Sequence, residues 1–341
     1  YTPPTQTTFT ITTVKVGTGS GTVTCNPTSC SANAGSTVTV SAVAASGSTF
    51  AGWSGACSGT GSCAVTSAGT VAATFNTVPA TGGQTINLTP TTWNAMSGSS
   101  FVRGNTYILA PGTYAGKTLS TPVDGTKVIT IKGTGSSGAG QQVIFTKNPT
   151  LGYSIFTFAT SYWNIDGVVG SMSTNPNDYG FRVADGSTEI GFVSVNTPLT
   201  DITMSHIAAK APTGDMEKAF FHKYTVTKSV NNLTLSHNLG DGYQVFAYMR
   251  GTGSSANLIF ERNVFLNQYS SSAHHGSGID ADSDTLTNPI IRYNIFKGGS
   301  GTAVVEANNT DLNGAKVYGN IFDDMHMGNG VISGTSAGHL N

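Results

Sequence analysis

The chain has 341 residues, a formal net charge of −1 and only 10 % charged side chains, where an ordinary soluble domain carries about 25 %. That balance excludes a general nucleic-acid binder, which needs a strongly basic face. No apolar run approaches the length of about 18 residues that marks a membrane span, while 38 % apolar content with 16 Phe and 12 Tyr is too much for a disordered chain.

In chain order, residues 1–8 read as a tail. The start at Tyr1 without Met is expected of a mature secreted product or a trimmed chain. Residues 9–76 carry one charge, Lys15, and alternate as strands do in Phe9–Val14, Thr37–Val43 and Thr70–Phe75. All four cysteines lie here, as Cys25/Cys30 and Cys57/Cys63. Each pair flanks a Gly/Ser/Pro turn, so two local disulfides are expected. Zinc is the rival reading, weakened by the lack of a nearby His or acid. Disulfides imply an oxidising, extracellular compartment. Residues 77–84 read as a linker, and residues 85–341 as a second domain.

Within that second domain one pattern recurs. Leu233-Thr-Leu-Ser-His-Asn238-Leu, Leu258-Ile-Phe-Glu-Arg-Asn263-Val, Ile290-Ile-Arg-Tyr-Asn294-Ile and Ala315-Lys-Val-Tyr-Gly-Asn320-Ile each give a short alternating strand, an Asn and an apolar pair. Weaker copies stand at Trp163–Val168 and Ile202–Ile207. A period of this length without helical spacing predicts stacked coils, hence an all-β right-handed parallel β-helix. The Asn is expected at a bend, tolerating a left-handed backbone and forming a hydrogen-bonded ladder, with the following Phe or Leu pointing inward. No helix is visible to cap the C-terminal end, so a further domain or self-association is expected there.

Two resemblances follow from these residues. Gly19-Ser-Gly-Thr-Val-Thr, Gly35-Ser-Thr-Val-Thr-Val and Phe50-Ala-Gly-Trp53-Ser-Gly-Ala-Cys resemble the divergent InlB B-type repeat of secreted bacterial proteins. Such modules serve as spacers or surface-attachment units. Trp53 there either stacks on a sugar or fills a small core, and the core reading is preferred. Ile108-Leu-Ala-Pro-Gly-Thr-Tyr followed by Ile129-Thr-Ile-Lys-Gly resembles the opening coils of the pectin-lyase-like superfamily, a likeness of fold more than of activity.

All seven His follow residue 205, and Lys210, Lys218, His222, Lys223, Lys228, His237 and Arg250 form the one basic concentration. In-register side chains on adjacent coils stand about 4.8 Å apart, so these are expected to line one groove suited to an anionic polysaccharide. Lys228-Ser-Val-Asn-Asn…Arg250 is similar to polysaccharide lyases of the chondroitinase-B and alginate-lyase type. The resemblance implies Lys228 as the base and Arg250 as the acid or electrostatic partner, with Lys223, His222, His237, His274 and His275 as substrate-binding candidates. It departs from the family where acids that hold Ca2+ should stand, because Phe221 and Lys223 occupy those places. The competing reading is that Lys228 and Arg250 are ordinary solvated residues.

Asp280, Asp282 and Asp284 alternate, so on a strand they would share a face and could hold a Ca2+. Otherwise they sit in a solvated turn. Two function classes remain: a secreted polysaccharide lyase acting on uronate-containing glycans, and a non-catalytic cell-surface or filament protein using the coils as a rod.

Overall fold

The computed structural model describes residues 7–45, 48–77, 83–138, 140–184, 186–187, 189–193, 197–213, 218–224, 227–268, 276–282, 284–301, 303–308, 312–324, 326–327 and 332–334. The chain divides into two compact units, residues 1–80 and 81–341.

The first unit pairs two small sheets. One orders Ser31–Asn33, Thr8–Val16, Gly69–Thr77 and Ser48–Gly55; the other orders Gly21–Asn26, Val38–Ala44 and Cys63–Val65. Alternation in these strands puts Phe9, Ile11, Val38, Val40, Val71 and Phe75 into one core. Trp53 joins it, 6 % exposed, its indole N–H donating to the Gly61 carbonyl at 2.8 Å. The ring therefore fills the core and presents no stacking face to a sugar. Cys25–Cys30 and Cys57–Cys63 are disulfides, which removes the zinc alternative because no thiolate is left to ligate.

The second unit is a parallel β-helix. Among the described residues each full coil runs through three strands, and equivalent strands pair in parallel with those of the next coil. Sheet A contains Thr85–Leu88, Thr106–Leu109, Ile129–Gly133, Trp163–Asp166, Leu199–Ser205, Val230–Ser236, Ile259–Glu261, Ile290–Arg292 and Lys316–Tyr318. Sheet B runs from Gly112–Ala115 through Ile207–Lys210, Leu239–Asp241 and Val264–Gln268 to Ile321–Asp323. Sheet C runs from Lys117–Leu119 through Glu189–Val193, Ala219–Tyr224, Val245–Arg250 and Ser277–Asp282 to Ile332–Gly334. A short sheet D, made of Ser254–Ala256, Thr285–Thr287 and Leu312–Asn313, fills the corner between C and A in the later coils. Stacked apolar side chains fill the interior, with Phe265 and Phe296 face to face at 4.5 Å.

Near the N-terminal end of this unit, the six-residue helix Pro90–Ala95 begins in a Thr89/Thr92 capping box. It lays Trp93 against Phe101, Tyr114 and Phe145. Such a short helix has no periodicity to read in the sequence. The C-terminal end, where an uncapped coil was expected, falls largely outside the described residues.

The expected Asn column exists at the corner between sheets A and B. Asn238, Asn263 and Asn294 are fully buried. Each side-chain amide donates to the next Asn Oδ1, at 3.1, 3.0 and 2.9 Å, and also to a carbonyl of the preceding coil. Each Oδ1 in turn accepts a backbone N–H from the coil before. Every polar group of these side chains is thus used, as burial demands. One detail differs from expectation. The left-handed residue is the one before the Asn: His237, Arg262, Tyr293 and Gly319 have φ of 52° to 65°, and His206, before Ile207, holds the same place one coil earlier at 57°. That kink frees the Asn to aim its amide along the column. The residue right after the Asn also differs, since Leu239 and Val264 join a small cluster with Tyr179 and Ala208, while the Phe one place further on enters the main core.

Candidate functional site

Among the described residues, a collection of chemistry-bearing side chains lies on the outer face of sheet C. Phe156, Gly191, Phe221, Ala247, Ile279 and Val305 are in register and face the core. The next position in each strand points the other way, giving an outer column of Phe192, His222, Tyr248, Asp280 and Glu306. Two residues further along, Tyr224 aligns with Arg250, and Asp282 follows on the next coil.

Within this face, the His222 Nδ1 lies 2.7 Å from a Glu189 carboxylate oxygen. The His222 ring stacks on Tyr248 at 5.0 Å and meets the edge of Tyr224 at 5.3 Å. The Arg250 guanidinium sits 5.5 Å from the Tyr224 ring and 5.8 Å from the Tyr248 ring, and its Nε is 3.7 Å from Asp282. Ser277 hydrogen-bonds Glu306 at 2.6 Å. His222 and Glu189 are buried on this face, as are Asp280 and Glu306, so the groups it presents to solvent are chiefly the Tyr224 phenol and the Arg250 guanidinium, able to give a proton and to pair with an anion.

Several expected residues lie elsewhere. Lys223, taken as substrate-binding, faces inward and is 0 % exposed, with its Nζ 2.8 Å from an equally buried Asp284. The reason is local: Phe220 and Phe221 both enter the core, which shifts the alternation and carries Lys223 inside. Burial lowers the Lys223 pKa and raises that of Asp284, and each shift is opposed by the charge of the partner. Ser255 Oγ donates to the second Asp284 oxygen at 2.7 Å. Gly253 seals the arrangement. A Cβ there would stand 2.7 Å from the Lys228 carbonyl, 2.9 Å from Asp284 and 3.0 Å from Lys223 Nζ, so the chain passes only because Gly has none.

The same pair overturns the Ca2+ set. Asp280 and Asp282 share the outer face of sheet C, but Asp284 has turned the corner and is committed to Lys223 and Ser255. Among the described residues no three His, Cys, Asp or Glu side chains converge as metal ligands. His237 also departs from the expected groove. It lies at the A–B corner, stacked on His206 at 4.9 Å, while Lys210 is on sheet B beside Asp241 at 3.6 Å. The basic residues scatter because one coil visits every face. Lys228 lies at the corner after the Tyr224 strand, its carbonyl beside Gly253. His274 and His275 lie outside the described residues. Glu189 was missed altogether, since nothing in sequence ties it to His222, 33 residues away.

The comparisons bear on the two units separately. Residues 11–81 match the divergent InlB B-repeat domain. No curated protein matches the chain. Among solved structures, the chain is similar to the alginate lyase from Paenibacillus sp. str. FPU-7, at 14 % identity with a TM-score of 0.40, covering 73 % of this chain and 99 % of that one. Among the described residues, no helix is long and apolar enough to cross a membrane.

Proposed function

We propose that this is a secreted enzyme that cleaves a uronate-containing polysaccharide by β-elimination on the outer face of sheet C. The observation that carries the reading is the alignment of Tyr224 with Arg250, flanked by the His222–Tyr248 stack, on adjacent coils of one face. In the proposed reaction a base removes the proton beside the uronate carboxylate. The electron pair forms the ring double bond, the bond to the bridging oxygen breaks, and that oxygen takes a proton. Arg250 pairs with the carboxylate and stabilises the charge that develops as the proton leaves. Lys228, at the corner that follows the Tyr224 strand, reaches toward this face as the base, the role that the motif Lys228-Ser-Val-Asn-Asn…Arg250 implies for it. Tyr224, more than half exposed beside Arg250, gives its proton to the leaving oxygen. Glu189 holds His222, whose ring keeps both tyrosines in place. Two disulfides in the first unit support an extracellular setting.

The test is ultraviolet absorbance of unsaturated uronate products from alginate, chondroitin and pectate. Wild type yields product on one of them, and Lys228→Ala, Arg250→Ala and Tyr224→Phe each lose it by about 100-fold or more. Absence of product on all three, or full activity in the variants, sinks the lyase reading and leaves the coils as a rod.

A further inference from the structure

A second surface, at the A–B corner, has a composition that its backbone does not call for. The residue before each ladder Asn is left-handed. Gly or Asn takes that conformation at little cost, whereas a bulky residue there is strained. The final described coil uses Gly319. The two coils before it instead use Arg262 and Tyr293, with φ of 52° and 58°. Backbone strain kept where a costless residue would serve points to a role for the side chain.

Those side chains build a platform. Arg262 lies 5.3 Å over the Tyr293 ring, and Tyr293 meets Tyr318 at 5.6 Å, the two rings nearly perpendicular. Arg292 donates to the Tyr318 hydroxyl at 3.1 Å and to Glu261 at 2.6 Å. The two tyrosines are 42 % and 41 % exposed. Two guanidinium groups face one carboxylate, so the patch is net positive in a chain of net charge −1.

From this arrangement we infer that the A–B corner is a second binding site for an anionic polysaccharide, with a sugar ring on Tyr293 and Tyr318 and its carboxylate on Arg262. Exposed aromatic faces bury the apolar side of a sugar ring, and a guanidinium pairs with a carboxylate in a fixed fork. The coil passes from sheet A through sheet B before reaching sheet C, so this corner is remote from the proposed catalytic face. A chain held here raises the effective concentration of its other segments at that face. The ligand class rests on the function proposed above; the existence of the site does not.

The experiment compares polymer binding and product formation in the same samples, with alginate, chondroitin and pectate as probes. Binding is read by retardation in affinity gels, using wild type, Tyr293→Gly, Arg262→Asn and Arg250→Ala. Gly and Asn suit the left-handed position, so these corner variants relieve strain and stay folded. The expected result is that each corner variant binds polymer about fivefold more weakly, the size of one lost aromatic or ionic contact. Turnover of short oligosaccharides, which cannot reach both sites, stays unchanged. Wild-type binding that neither corner variant weakens, or no wild-type binding to any probe, overturns the second site. Corner-dependent binding without product supports the second site while refuting the lyase, so the two failures separate.

Discussion

Two corners of the β-helix bury polar groups by opposite means. At the A–B corner the Asn column is neutral, repeats coil after coil and meets every hydrogen-bonding need within itself. At the corner beyond sheet C, Lys223 and Asp284 bury opposite charges in one place, with Ser255 as the added partner. A repeated neutral amide extends with the solenoid, because each new coil satisfies the previous one. A buried ion pair cannot be repeated cheaply, since each copy must again remove two charges from water. The difference teaches that repetition marks what holds the coils together, and that the departures from repetition mark places set up for one purpose.

The sharpest way to break the comparison is to remove one charge. Lys223→Met strands the Asp284 carboxylate, and Asp284→Asn strands the ammonium. Either should lower stability by about 3–5 kcal/mol in urea unfolding. Replacing both with apolar residues should cost clearly less, because no lone charge remains. If the single and double variants lose equally, the pair is not a coupled unit.

Breaking the column comes next. Asn263→Ala deprives the Asn238 backbone N–H and side-chain amide of their acceptor and the Leu235 carbonyl of its donor. A loss of about 3 kcal/mol is expected, smaller than the charge deletion because all the stranded groups are neutral. Hydrogen exchange should show the opening centred on the coils of Asn238 and Asn294. Uniform loosening across the whole unit would contradict a ladder of nearest-neighbour terms.

A smaller effect is written into pH. His237 has its pKa held down by burial, then by the neighbouring His206 and Arg262, with Glu261 and Asp166 opposing. A histidine with a depressed folded pKa binds its proton more weakly when folded than when unfolded. It therefore costs nothing above its unfolded value of about 6.5, and stability falls as pH drops below that value until the folded pKa is reached. His237→Asn, which suits the left-handed position, should flatten this part of the stability profile. An unchanged slope would assign the pH response to other groups.

The smallest effect is expected at the surface. Lys210 is 78 % exposed and 3.6 Å from Asp241, so Lys210→Ala should shift stability by less than about 0.5 kcal/mol. A larger shift would show that exposed pairs on sheet B carry weight that their geometry does not suggest.

How far each feature could be read in advance follows its periodicity. The Asn column was legible because its members recur one coil apart, and in-register stacking then requires them to meet. The local disulfides were legible because each pair flanks its own turn. The outer face of sheet C was only half legible. His222 and Arg250 stood out as basic residues, but Glu189 joins them through a loop whose length varies from coil to coil. Lys223 was misread because two successive inward phenylalanines reset the alternation. Asp284 was misread because the chain turns a corner after Asp282, and alternate spacing no longer means a shared face.

From its sequence alone this chain determined that its second unit is a stack of parallel coils, since a period of apolar strands and amides has one economical way to stack. Which side of each strand a given Lys, His or Asp occupies was decided only in the folded chain. That choice depends on a bend of one residue within a strand, and such a bend leaves no mark on composition or spacing. The platform of Tyr293, Tyr318 and Arg262 is of the same kind: its residues are ordinary in the sequence, and only the stacking of the left-handed corner positions Arg262 and Tyr293 on the end of the Lys316–Tyr318 strand brings them together.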